Sequence, residues 1–277
     1  MEKFLSYAQN FEDVMLWRAL MHVEAGFYVD VGANDPVVDS VTKAFSCRGW
    51  QGINIEPIEH WHAKLVEDRP NDINLQIAAS SDNGTMAFFE VIGTGLSTAQ
   101  AEIAHRHSCE GFEVKNRIVT TLKLSDVFDK HDVSTVHFLK IDVEGGEEDV
   151  LRGMDFKKIH PWIVLIEATD PKSTTPSFEK WEHHLLGNGY SFIYFDGLNR
   201  YYLSNSHPEL RAAFEVPPNI SDNFVQYSQW IVQQQLIDEL TRCQQNFARV
   251  ITSLTWRMTK PLRAPINVLG LFLRLFK

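Results

Sequence analysis

Cysteine is nearly absent from this 277-residue chain. Cys47, Cys109 and Cys243 form no CxxC and no Cys/His spacing, which argues against a disulfide framework and a cysteine-bound zinc site and fits a reducing cytoplasm. Positive charge is scarce as well: 26 Lys+Arg face 36 Asp+Glu, a net charge of −10. Such a surface repels a phosphate backbone, so nucleic acid is not an expected partner. No apolar run reaches the roughly 18–20 residues a spanning helix needs. The longest, 266–276, is broken by Asn267, Gly270 and Arg274. The first ten residues hold no apolar stretch of signal-peptide type, so a secretory signal is not expected. There is no internal repeat and no low-complexity run.

With 44% apolar and 22% charged residues, the composition is that of a soluble globular protein. Apolar periodicity predicts helices over 7–23, 40–48, 59–67, 147–153 and 178–186. Short apolar runs predict strands over 27–31, 52–55, 73–78, 136–141 and 162–166. The turn Ser81-Asp-Asn-Gly84 leads into an alternating strand over 85–91, read as hairpin-like. Two further strands, 191–195 and 200–203, flank Asp196-Gly-Leu-Asn199 as a terminal hairpin. Residues 93–118 have little periodicity and read as an irregular segment near the site. Strands that alternate with helices and close on a hairpin predict an α/β sheet covered on both faces. Pro217-Pro218 and Ser221-Asp-Asn223 mark its end, giving a domain over 1–225 and a helical tail over 226–277.

Two strand ends carry the first constellation. Tyr28-Val-Asp-Val-Gly-Ala-Asn34 ends in Asp30, Gly32 and Asn34, and Gly52-Ile-Asn-Ile-Glu56 ends in Glu56. Asp, Gly and Asn are ordinary turn residues. A second acid at the next strand end favours a nucleoside pocket, with Glu56 on the ribose hydroxyls. A pyrophosphate needs free N–H groups at a helix start. Here the G-x-G-x-x-G pattern stops at Gly32, Asp35 would repel phosphate, and Pro36 has no N–H. Adenosine without phosphate fits better, which points to S-adenosylmethionine rather than a nicotinamide dinucleotide.

The second constellation is Lys140-Ile-Asp-Val-Glu-Gly-Gly146. Asp142 and Glu144 suit the N-terminus of the following helix. They also suit a catalytic base or oxygen ligation of a divalent metal, and Glu167 and Asp170 could join them. Carboxylates that converge require a cation or raised pKa values. His105 and His107, two apart, read as solvated loop side chains, with a base role as the competing reading.

In order and spacing the motifs resemble the FkbM family of S-adenosylmethionine-dependent methyltransferases. They are Ser6-Tyr-Ala-Gln-Asn-Phe-Glu-Asp13, Asp30-Val-Gly-Ala-Asn34, Gly52-Ile-Asn-Ile-Glu-Pro57, Gly95-Leu-Ser-Thr98, Leu139-Lys-Ile-Asp-Val-Glu-Gly145, Trp162-Ile-Val-Leu-Ile-Glu167 and Asp196-Gly-Leu-Asn-Arg-Tyr-Tyr202. Pro36 stands where many members carry glycine. The resemblance implies a class I methyltransferase (Rossmann-like) fold with a seven-stranded sheet, and methyl transfer to a sugar hydroxyl in bacterial polysaccharide or glycolipid biosynthesis. It places Asp30, Gly32 and Asn34 beside the methionine part of the cofactor, Glu56 on the ribose and Asp82 near the adenine. Asp142 or Glu144 would then take the hydroxyl proton, directly or through a divalent ion. The competing class is a catalytically inert α/β scaffold of a biosynthetic complex.

From Thr241 onward there are seven basic residues and no acidic one. Residues 226–249 read as a short coiled coil. Residues 253–277, basic and then apolar, read as a peripheral contact with the inner membrane face or as a helix that packs on a protein partner, such as a glycosyltransferase.

Overall fold

The computed structural model describes residues 3–253 except 171 and 174, together with Met258. The chain divides into two compact units, Met1–Val225 and one that begins at Gln226.

The first unit is organised by a seven-stranded sheet. Its strands in chain order are β1 (Phe27–Val31), β2 (Gln51–Ile55), β3 (Ile73–Leu75), β4 (Phe138–Ile141), β5 (Ile163–Glu167), β6 (Tyr190–Phe195) and β7 (Asn199–Ser204). Their spatial order is β6-β7-β5-β4-β1-β2-β3, and β7 alone runs antiparallel. The apolar runs reflect burial on both faces. Val29, Val31, Ile53, Ile55, Leu139 and Ile141 pack with helices Leu124–Lys130 and Glu147–Arg152. The alternate residues Tyr28, Phe138, Ile163 and Leu165 pack with helix Glu12–Leu20 and the 3-10 segment Pro208–Phe214. The four central strands β2, β1, β4 and β5 therefore end side by side, and their tips carry the site.

Four expectations change. Residues 93–118 are ordered: helix Ala101–Cys109 is followed by strand Val114–Leu122. Only Ala104 and His107 of that helix are buried, and Ile118 of the strand is exposed, so neither shows an apolar period. The strand Gly84–Val91 pairs antiparallel with Val114–Leu122, not with β3, in a separate three-stranded sheet. The expected strand 73–78 splits, with β3 in the large sheet and Ala78–Ala79 in the small one. The first helix begins only at Glu12, because Asp13 captures the amides of Tyr7 and Ala8 (2.7 and 3.3 Å) and the Ser6 hydroxyl (2.7 Å), which holds 6–8 out of helical geometry.

In the second unit the described residues form helix Tyr227–Thr252. Leu236, Leu240, Cys243, Phe247 and Val250 recur at steps of four and three, the spacing of a coiled-coil seam. The expected membrane or partner segment over 253–277 lies outside the described residues, apart from Ser253 and Met258. No helix among the described residues is long and apolar enough to cross a membrane.

Candidate active site

A cavity of about 340 Å³ opens over the tips of β1, β2 and β4, lined among others by Gly32, Asn34, Glu56, Ser80, Asp142 and Glu144. At the end of β1 the chain turns at Gly32, whose φ is +80°. A Cβ there would stand 1.8 Å from the Asp142 carbonyl oxygen, so only glycine lets the β1 and β4 tips meet. The amides of Gly32 and Ala33 donate to the Ile55 carbonyl (3.0 and 3.2 Å), which locks the turn to β2.

Glu56 is the joint of this half. It accepts the Asn34 amide at 2.9 Å on one oxygen and the Ile58 amide at 2.8 Å on the other. Burial pushes its pKa up to about 7, against these two donors, which favour the anion. Each oxygen retains a lone pair for a ligand hydroxyl. Asn34 takes a left-handed conformation (φ 49°), and its buried side-chain oxygen has no partner. Gly95 packs so closely on Asn34 that a Cβ would fall 2.7 Å from its Nδ2. That oxygen and the two lone pairs on Glu56 suit the ammonium and hydroxyl donors of S-adenosylmethionine.

The next turn gives a pyrophosphate no cradle. Asp35 accepts the amides of Val37 and Val38 (2.9 Å each) and pairs with Lys64 at 3.1 Å, so its carboxylate caps its own loop. The Pro36 carbonyl accepts from buried Arg69 at 2.7 Å. Arg69 also donates to Ser40 (2.7 Å), Thr42 (2.7 Å) and Asn54 (2.9 Å), so the loop path is held from behind and proline fits it.

Asp30 is buried behind the cavity and is not part of its lining. It accepts the Thr42 hydroxyl at 2.7 Å and faces the Lys140 ammonium at 3.3 Å. Lys140 donates to the Gly32 carbonyl at 2.8 Å and pairs with Asp142 at 3.3 Å. Burial opposes this charge, but Asp30 and Asp142 hold the Lys140 pKa above its ordinary value. Asp30 thus meets Lys140 and Thr42 rather than the cavity.

Asp142, Glu144 and Glu167 each bring one carboxylate oxygen within 4.8 Å of the others. Glu144 has a φ of 53°, and its carbonyl accepts the Thr98 hydroxyl at 2.7 Å. Burial, then Asp142, pushes its pKa up to about 8. Burial, then Asp142 and Glu144, drives Glu167 up as well. Buried Glu147 is also raised, by burial first, and accepts the Gly145 amide at 3.0 Å.

The structure thus brings Gly32, Asn34, Glu56, Asp142 and Glu144 to one cavity. Asp82 is exposed in its turn, accepts from the Ser81 hydroxyl at 2.9 Å and lies outside the lining, which includes Ser80 instead. Asp170 is not in the carboxylate cluster. His105 and His107 sit on a helix rather than a loop. His105 is exposed, while His107 is buried away from the cavity lining. Sequence reasoning assigned no role to Lys140, Gln9 or Asp39, all three of which line the cavity. A lysine inside the run Phe138-Leu-Lys-Ile141 was the available signal, since an unpaired cation is not buried in a central strand. Gln9 and Asp39 reach the cavity through the pairing of Ala8 with Asp39, which has no local signature.

The methyltransferase FkbM domain matches residues 30–192, a span that includes both glutamates of the carboxylate cluster and the whole β1–β2 half of the cavity. No curated protein matches the chain. With that domain over more than half its length, the chain belongs to the FkbM methyltransferase family and is an S-adenosylmethionine-dependent methyltransferase.

Proposed function

We propose that this methyltransferase methylates a hydroxyl oxygen of a sugar in a cell-surface polysaccharide or glycolipid precursor. The observation that carries the reading is the group Asp142, Glu144 and Glu167, of which Asp142 and Glu144 line the cavity beside the Gly32 turn, without a full set of counter-charges. A neutral amine already carries a free nucleophilic lone pair and has less need of such a proton sink than an alcohol, a weak acid at neutral pH. The side chains of Gln9, Asp39, Gln100 and Asp149 also line the cavity, and amides and carboxylates are the groups that pair with sugar hydroxyls.

When bound, S-adenosylmethionine supplies a methyl group already activated on a sulfonium. Glu56 would hold the ribose hydroxyls through its free lone pairs, and the Asn34 oxygen would accept from the amino group. Gly32 lets the backbone come close, and Lys140 fixes Asp142 relative to that turn. Asp142 and Glu144 orient the acceptor hydroxyl and take its proton. Alignment supplies most of the rate, because the reacting groups are held rather than made more reactive.

Residues 253–277, basic and then apolar, suit peripheral contact with an anionic inner membrane face, where lipid-linked glycans or a glycosyltransferase partner would be met. The test is mass spectrometry of surface glycan from cells with and without this chain. Loss of one methyl increment, roughly 14 Da for a CH₂ on a sugar hydroxyl, supports the reading, and an unchanged spectrum removes the glycan assignment. Asp142→Asn with full transfer activity and unchanged cofactor binding would exclude Asp142 as the base.

A further inference from the structure

We infer that Asp142, Glu144 and Glu167 form a binding site for one hard divalent cation at the cavity wall. The three donor oxygens lie within 4.8 Å of one another. A point about 2.8 Å or less from all three follows from that spacing, so a Ca²⁺-sized ion, with ligands at about 2.3–2.6 Å, is met once the side chains close by a few tenths of an ångström, and a Mg²⁺-sized ion, at about 2.0–2.1 Å, requires a larger closure. The donor set is oxygen only, which selects Mg²⁺, Mn²⁺ or Ca²⁺ over zinc or copper.

A second observation points to the same place. Glu144 is only 8% exposed, and its Oε2 is buried with no hydrogen-bond partner. A carboxylate oxygen sealed from water without a donor is costly unless something positive meets it. The basic group at hand does not: Lys140 is shared between Asp30 and Asp142. Among the described residues neither Glu144 nor Glu167 has a basic side chain in ion-pair range. The frame is rigid, with the Glu144 backbone pinned by Thr98 and Asp142 by Lys140. Asp142 and Glu144 also line the cavity, which leaves the ion's remaining positions open to water and to the acceptor.

The consequence rests on the hydroxyl-methylation reading. A hydroxyl bound to the cation loses its proton more easily. That proton passes to a carboxylate oxygen of the cluster or to water. The oxygen lone pair forms the bond to the methyl carbon, and the electrons of the breaking carbon–sulfur bond stay on sulfur.

The full chain is titrated with Mn²⁺ alone by calorimetry, and its thermal midpoint is measured with and without the ion. One Mn²⁺ per chain and a raised midpoint are expected, with binding weakened about tenfold or more in Glu144→Gln and in Glu167→Gln. Both substitutions keep side-chain volume, and circular dichroism confirms folding. Should either fail to fold, Asp142→Asn takes its place. The site is overturned if the native chain binds none of Mn²⁺, Mg²⁺ and Ca²⁺, or if all folded variants bind as the native chain does. A parallel titration with S-adenosylmethionine keeps the two ideas apart. Cofactor binding and methyl transfer with no cation binding sink the cation site alone. Cation binding with transfer to no hydroxyl acceptor sinks the acceptor reading alone.

Discussion

Glu56 and Glu144 are both buried carboxylates at strand tips of one cavity, and their surroundings differ in kind. Glu56 meets two backbone amides, one on each oxygen. Glu144 accepts no such bond on Oε2 and faces Asp142 and Glu167 instead. The β2 tip is thus a finished structure, with fixed donors that support the anion and spare lone pairs aimed outward. The β4–β5 tips are unfinished, with like charges gathered and one ammonium among them. A finished tip suits recognition of a ligand that does not change charge. An unfinished one suits chemistry in which a proton or an ion must come and go.

The contrast can be broken first at the turn that joins the two halves. Gly32→Ala drives a methyl into the Asp142 carbonyl and requires a left-handed alanine, at a cost of about 2–5 kcal/mol. The misplaced tip should lower cofactor affinity about a hundredfold, read by calorimetry. Lys140→Met removes the link between the halves and leaves Asp30 buried without its cation. A stability loss of about 3–5 kcal/mol is expected in denaturant unfolding. The rate–pH profile should shift too, which a purely structural lysine would not cause.

Glu56→Gln sharpens the contrast from the finished side. The amide loses one acceptor for the two backbone donors, so cofactor binding should weaken about tenfold, with cation binding unchanged. The unfinished side shows itself in pH. The Glu144 pKa is raised, so the protonated native state is the stable one. Its contribution is present in full below the ordinary carboxylate pKa and is lost as pH rises through about 8. Glu144→Gln should therefore gain on the native chain between pH 5 and pH 8, by a few degrees at roughly 2–4 °C per kcal/mol. Asp82→Ala should do least, within about 0.5 kcal/mol in stability and with cofactor affinity unchanged, as an exposed turn residue outside the lining.

The fold was legible wherever burial left a period. The central strands are apolar on both faces and stand out, and the hairpin Asp196-Gly-Leu-Asn199 announces itself by its turn residues. The helix Ala101–Cys109 and strand Val114–Leu122 were not legible, since each buries two residues, one of them polar in each case. In the site, Gly32, Asn34 and Glu56 could be read because they sit at the ends of recognisable strands. The role of Asp30 could not. It lies inside the strand on the face of Tyr28, short of the tip where Gly32 turns, and there meets Thr42 and Lys140, partners 12 and 110 positions away.

Arg69 carries a consequence for how the pocket comes apart. Its guanidinium reaches Pro36, Ser40, Thr42 and Asn54, so the turn after β1 is completed by a residue that follows β2 and its helix. That shared anchor couples the cofactor turn to the helix Glu59–Asp68, which carries the arginine at its end. In native-state hydrogen exchange the amides of the loop and of that helix should then open together, as one cooperative unit.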